Sequence, residues 1–401
     1  MTTITNKTLS TWLLCASMLF VHDALAESEK IEKVFDVSAG GILIIDSDRG
    51  SVTINTWSQN RVEIQITKTA STSARLGTFE FNFSQSGNSV VIEGQGQRKS
   101  LVRVAIGVNV PEHFNFDINT RGGRISIDDI TGDITLRTSG GNIKTGNVVG
   151  DVDLSTSGGS IQIGRITGRS IINTSGGSIT VAGGGLSTDA DTSGGSIAIG
   201  PSEGDVRVRT SGGSISIADI SGDVSANTSG GGIDIGQVQG NIKADTSGGS
   251  IRVQGGEGIV DINSSGGSLR VHHAGGLVRA RTSGGHIFIE DAEGAIDAKT
   301  SGGNIEAHMV QIDNNVNTRI ILRSSGGTLT LYIPKSLQAS VIAEIRITRN
   351  ALQDYSIYSD FPIAIKGDGG NDVKASGDLN GGGDMITLKT TNGDIYINYL
   401  D

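Results

Sequence analysis

The chain has 401 residues, 60 of them glycine, with 4 prolines, one cysteine, 4% aromatic residues and a net charge of −10. So much glycine with so little proline, in strict period, excludes collagen and argues against disorder. An acidic chain without a basic stripe is a poor partner for nucleic acid, and charge alone does not hold it to anionic lipid.

Residues 1–26 read as an export signal: Lys7, an apolar run from Leu13 to Val21, then Ala24-Leu25-Ala26 as a small-x-small cleavage site. Cleavage there starts the mature chain at Glu27 and removes Cys15, leaving no thiol and no disulfide. Leu14 stands before Cys15 where a lipoprotein signal needs a small residue. Lys7 and Asp23 cancel, so the mature charge stays at −10. No later stretch of about 18 apolar residues follows to span a membrane as a helix, and no sortase-type wall-anchoring sequence is present. The expected location is the periplasm, the outer envelope or the medium.

Residues 27–119 hold strand patterns at 42–45, 51–54, 62–66, 90–92 and 102–108, read as an irregular β cap. From Thr120 to Thr300 the phrase Thr-Ser-Gly-Gly or a near relative recurs eleven times, always 18 residues apart. A step this regular makes each copy one coil of a stack. Numbering each coil from its Thr, position 6 is Ile or Leu throughout (Ile125, Ile215, Leu269, Ile305), and position 8 is nearly as apolar. Positions 15 and 17 are aliphatic too (Val224 and Ala226). Polar residues alternate with all four columns, which predicts short strands with one face buried. A third short side lies near position 11 (Ile130, Val148, Ile166). Extended, 18 residues trace roughly 60 Å, three sides of about 20 Å. The reading is all-β: a single-strand parallel β-helix, or β-solenoid, with a packed interior and no room for a ligand.

Gly-Gly at positions 3 and 4 predicts a corner where one or both glycines take a positive φ or lie too close to the next coil for a Cβ. Gly at position 13 marks a second corner. The Thr and Ser of positions 1 and 2 are expected to stack about 4.8 Å apart, with hydroxyl ladders along the rod. The signs of Lys243, Asp261, Arg279 and Asp297 at position 16 alternate, predicting ion pairs between coils. Regular repeats occupy 120–327. The step from Thr300 to Ser324 is 24 residues, and 328–401 are expected to form irregular coils and a cap. Residues 357–383, rich in Gly, Asp and Asn, read as a long loop.

The chain resembles a bacterial family of putative adhesins of unknown function with β-strand repeats. The resemblance rests on GILIIDSDRGSVTINTW at Gly41 to Trp57, the repeated TSGGSI and the closing TTNGDIYI at Thr390 to Ile397. It implies a right-handed single-strand β-solenoid at the cell envelope and brings no catalytic residue set.

Chemistry is sparse. His272, Glu290 and His308 share position 9 of successive coils, with His273 and His286 nearby, and two imidazoles with a carboxylate can bind zinc. Solvated outer side chains explain them as well. Asp133 with Asp151, and Asp205 with Asp223, stack at position 14, where they suit calcium or acid–base work, or turns in which Asp bonds backbone amides. The turn reading is preferred. No serine is singled out as a nucleophile, phosphate cradling lacks the required helix, and the threonine column is too narrow for an ice-binding face. Phe288 is the one aromatic platform foreseen on the rod for a sugar. No catalytic, cofactor or metal residue is assigned. The function read from the sequence is a non-enzymatic exported scaffold or adhesin, bound to a surface glycan or envelope protein through serine columns such as Ser160, Ser178, Ser196 and Ser214. The alternatives are a polysaccharide-active enzyme, with a cleft at 306–323 or 357–383, and a filament built end to end.

Overall fold

A computed structural model describes residues 26–97, 100–310, 317–348, 354–367 and 372–400. The expected signal, 1–26, lies outside them save for its last residue. The fold is the all-β solenoid that the repeat implies. Each regular coil has one strand over positions 6–8, as in Ile215–Ile217, and one over positions 15–18 and the next Thr, as in Val224–Thr228. Like strands of successive coils pair in parallel with an offset of one repeat: Ile215 opposite Ile233, Val224 opposite Ile242. We call the sheet of positions 6–8 sheet A and the other sheet B. The third side is reduced to short bridges such as Ile130 opposite Val148 and Ile220 opposite Val238.

Alternation puts the aliphatic columns inside. From Ile125 to Ile305 the position 6 side chains are at most 1% exposed. Dense packing makes this file strongly stabilising, since truncating one such side chain to Ala typically costs about 2–5 kcal/mol.

The corner at positions 1 to 4 explains the repeated phrase. None of its glycines has a positive φ, so of the two expected explanations it is close approach that applies. A Cβ on Gly213 would overlap the carbonyl oxygen of Gly195 in the preceding coil. A Cβ on Gly212 would meet nothing nearer than 3.5 Å. The hydroxyl ladder takes a different form from the one expected. Thr156 Oγ1 donates to the Gly141 carbonyl, 2.9 Å away, and accepts from the Gly159 N–H at 3.3 Å. Hydroxyls therefore alternate with glycine peptides, because the corner's buried backbone groups need partners. At the second corner Gly132 and Gly150 do have positive φ, 150° and 157°.

Both ends are interleaved. The coil of Gly41–Ser47 and Ser51–Trp57 lies between two coils that follow it in sequence. One is Phe114–Thr120 with Ile125–Ile127, and the other is Ser89–Gly96 with Arg103–Pro111. At the far end, Asp384–Thr391 lies between Ile320–Arg323 and Ala339–Arg346, and Ile395–Tyr399 between Leu329–Ile333 and Ile357–Ser359. Antiparallel strands close the stack. Arg61–Ala70 pairs with Arg103–Pro111 and carries Glu27–Asp36 on its other side, while Phe79–Ser86 covers Ser89–Gly96. Asp372–Leu379 covers Ala339–Arg346 and carries Ala364–Gly367. Ile357–Ser359, Ala364–Gly367 and Asp372–Leu379 thus correct the expected loop over 357–383: pairing to neighbours overrides local composition. The outermost strand Glu27–Asp36 is charged and exposed, which protects an edge from recruiting other chains. Buried Lys68 ties this cap together, donating to the Phe79 carbonyl at 3.0 Å and pairing with Glu29 at 2.8 Å.

Candidate functional site

The polar columns differ in whether they are already occupied. Position 1 hydroxyls are buried and bonded to glycine peptides. Position 5 serines, the expected binding columns, are half used: Ser160 Oγ accepts from the Ser178 N–H at 3.2 Å, and Ser178 and Ser196 do the same for the next coils. Position 2 serines are different. Ser211, Ser229, Ser247 and Ser265 are exposed. Among the described residues their hydroxyls bond to no other group of the protein.

These serines form one wall of a groove along the corner beside sheet B. Its other wall is position 18, with Asn173, Asp191, Arg209, Asn227, Asp245, Asn263, Arg281 and Lys299, and the buried threonines form the floor. It consists of two stretches, of about 540 and 510 Å³, that share Asn227 and Ser229. Together they run from Ser157 to Ser301, eight coil steps or roughly 38 Å at the spacing of paired strands. The wall residues bond along the rod: Arg209 to Asp191 at 3.4 Å, and Asn263 to Asp245 at 3.0 Å. The groove is polar, continuous and of constant register, a shape that suits an extended chain better than a small molecule.

The position 16 ion pairs run diagonally. Arg281, at position 18, reaches Asp297 at 3.1 Å and Asp261 at 3.9 Å, whereas Arg279 takes no part in any described ion pair. This corrects the expected straight column: Asp261 and Asp297 are taken by Arg281 of the neighbouring column and not by Arg279 between them.

The histidine column does not converge. His272 Nδ1 and Arg270 each lie 2.6 Å from the Glu290 carboxylate, while His308 turns to Glu306 at 3.2 Å and packs against Tyr332. No cluster of three metal-ligating side chains occurs among the described residues. Burial raises the Glu290 pKa, but bonds and charges from His272 and Arg270 outweigh it and hold the carboxyl below its usual range. The aspartates of position 14 accept backbone amides: Asp133 from Asp151 N–H, and Asp205 from Asp223 N–H, at 2.8 and 2.9 Å.

Phe288 is not the lone aromatic of its face. Tyr332, Tyr358 and Tyr396 join the same side of sheet A, and the rings of Tyr358 and Tyr396 stack with centroids 4.9 Å apart. Burial, with Asp394 and Tyr358 nearby, raises the Tyr396 pKa. The sequence signal was Ile395-Tyr396-Ile397, the alternation of positions 6 to 8 without the full repeat phrase.

No family model matches the chain, and no curated protein matches it in sequence. Among solved structures it is similar to a putative cell adhesion protein from Clostridium sporogenes, at 11% identity over 93% of this chain and 100% of that one, with a TM-score of 0.16. It is also similar to putative adhesins from Parabacteroides merdae (12% identity, 71% of this chain and 97% of that one, TM-score 0.21) and Parabacteroides distasonis (14%, 76% and 97%, TM-score 0.20). Superpositions this loose carry no argument about function, and the fold rests on the strand pairing. Among the described residues no helix is long and apolar enough to cross a membrane.

Proposed function

We propose that this protein is an exported, non-enzymatic solenoid of the bacterial envelope, an adhesion surface that lays an extended polar chain, such as a surface glycan, along the serine groove. The observation that carries this reading is the free hydroxyl wall, presented in one register along the groove, while the position 1 threonines and the position 14 aspartates are bonded to backbone groups. Each contact is weak, and repetition along a tethered chain supplies the affinity. Asp191 and Asp245, the carboxylates of the groove, are engaged by Arg209 and Asn263, which favours holding over cleaving. The antiparallel caps at both ends favour a single rod over an end-to-end filament.

The test is binding of the purified chain to a glycan array and to whole cells, beside the variant Ser229→Phe/Ser247→Phe, which fills the groove from outside the core. The expected result is binding that this variant abolishes. Absence of binding to any glycan, cell or matrix component removes the adhesion reading, and binding that survives the variant removes the groove from it.

A further inference from the structure

At its C-terminal end the position 18 wall of the groove turns basic and runs on past Ser301. Arg281 stands opposite Lys299, Lys299 opposite Arg323, and Arg323 opposite Lys389, on four successive strands of sheet B. Four cations therefore stand in one line at the strand spacing of about 4.8 Å. Like charges directly opposite one another weaken strand pairing. Farther along the same column Asp191 faces Arg209, and Asp245 faces Asn263, so alternation is available to this fold. Composition does not account for the line either, because the chain carries a net charge of −10. Arg281 is shared between Asp297 and Asp261, and Lys389 holds Glu344 at 2.9 Å. Lys299 and Arg323 are exposed, with no carboxylate within 4.0 Å among the described residues. Arg279 and Arg319 add two more cations beside them, along a depression of about 180 Å³ bordered by Leu277 and Ile321, whose one carboxylate, Asp297, is bonded to Arg281.

We propose that this basic end of the groove takes an acidic polysaccharide, whose charges meet Lys299 and Arg323 and their in-line neighbours while Ser283, Ser301 and Ser325 hydrogen-bond its hydroxyls. A line of cations on consecutive strands matches a linear polyanion, because a small anion would engage one or two of them. The rest of the groove is walled by serine hydroxyls and asparagine amides, with Asp191, Arg209 and Asp245 bonded along the rod, and offers no aromatic ring for base stacking, so a sugar chain fits better than a single-stranded nucleic acid. The proposal rests on the groove reading above and names the class of ligand for one end of it.

The test uses the full mature chain with polygalacturonate, dextran sulfate, neutral dextran and single-stranded DNA, at low and at physiological salt. Polygalacturonate is expected to bind well above neutral dextran and to weaken as salt rises. The exposed double variant K299Q/R323Q is expected to lose about tenfold or more of that affinity, while its thermal stability stays equal or rises, because like charges are removed from paired strands. If dextran sulfate binds and polygalacturonate does not, with the same loss in K299Q/R323Q, the site stands and sulfate is the group it holds. Equal affinity for polygalacturonate and neutral dextran overturns the proposal. So does an unaffected K299Q/R323Q, or tighter binding of single-stranded DNA. The groove-filling variant Ser229→Phe/Ser247→Phe lies outside the cation line. If it leaves all binding intact, the groove reading fails, whereas loss in that variant alone leaves the groove and removes the cation line.

Discussion

Thr210 Oγ1 donates a hydrogen bond to the carbonyl of Gly195, 2.8 Å away and 15 residues earlier in the chain, and accepts the N–H of Gly213 at 3.2 Å. One hydroxyl thus satisfies two backbone groups of a buried corner. Thr210→Val keeps the shape and strands both groups, so the expected loss is about 1–3 kcal/mol in chemical unfolding. Thr210→Ser is expected to be close to neutral, because Ser264 at the same position makes both bonds, at 2.8 and 2.9 Å. A Val variant as stable as the Ser variant would show that the ladder contributes nothing.

The paired glycines separate two roles that the repeat phrase merges. Gly213→Ala drives a methyl group into the Gly195 carbonyl of the coil below, and the stack must open there. The cost expected is about 1–3 kcal/mol or more. Gly212→Ala meets only ordinary contacts and is expected to be neutral within about 0.5 kcal/mol. Thermal unfolding of the two single variants decides it, and equal effects would contradict the close-approach account.

The regular coils were legible because Ile215, Ile217, Val224 and Ala226 show period 2 twice in each repeat, and nothing but a strand buries that pattern. The interleaved ends were not. Gly41–Ser47 pairs with strands beginning at Phe114 and Ser89, and no local sequence rule specifies pairing at that distance. The site was half legible. The serine columns were evident, yet Ser160 and Ser211 look alike until the backbone shows that the first accepts an amide and the second does not. The cation line was hidden by the 24-residue step, which moves Arg323 off the 18-residue grid, and Lys389 reaches the same column only through the returning last coil.

Glu344 supplies the pH prediction. The bond from Lys389 lowers its pKa, burial opposes this, and the charges of Lys389, Lys374 and Arg346 add to the lowering. A carboxylate held below its unfolded value stabilises the fold above that value, and the contribution is lost as pH falls through the folded one. Lys389→Met is therefore expected to raise the Glu344 pKa back toward 4.5 and to move the acid-unfolding midpoint upward. A carboxyl titration followed by NMR reads the first shift. An unmoved Glu344 would refute the pairing.

The last coil should behave unlike a chain end. Terminal strands usually fray and exchange their amides quickly. Here Ile395–Tyr399 is paired on both sides, with Leu331 opposite Ile397 and Ser359 opposite the same residue. Asp384–Thr391 is likewise held between two strands. Hydrogen exchange at Leu388 and Ile397 is accordingly expected to be as slow as at Leu331, in the interior. Removing residues 384–401 would do more than shorten the rod, because it parts Ile320–Arg323 from Ala339–Arg346 and exposes an unpaired edge on each. That truncation is expected to destabilise the whole C-terminal cap and to promote association through the opened edges. Rapid exchange at Ile397, or a truncated chain that stays monomeric and as stable as the full one, would mean that the returning coil is an ornament on a stack closed by other strands.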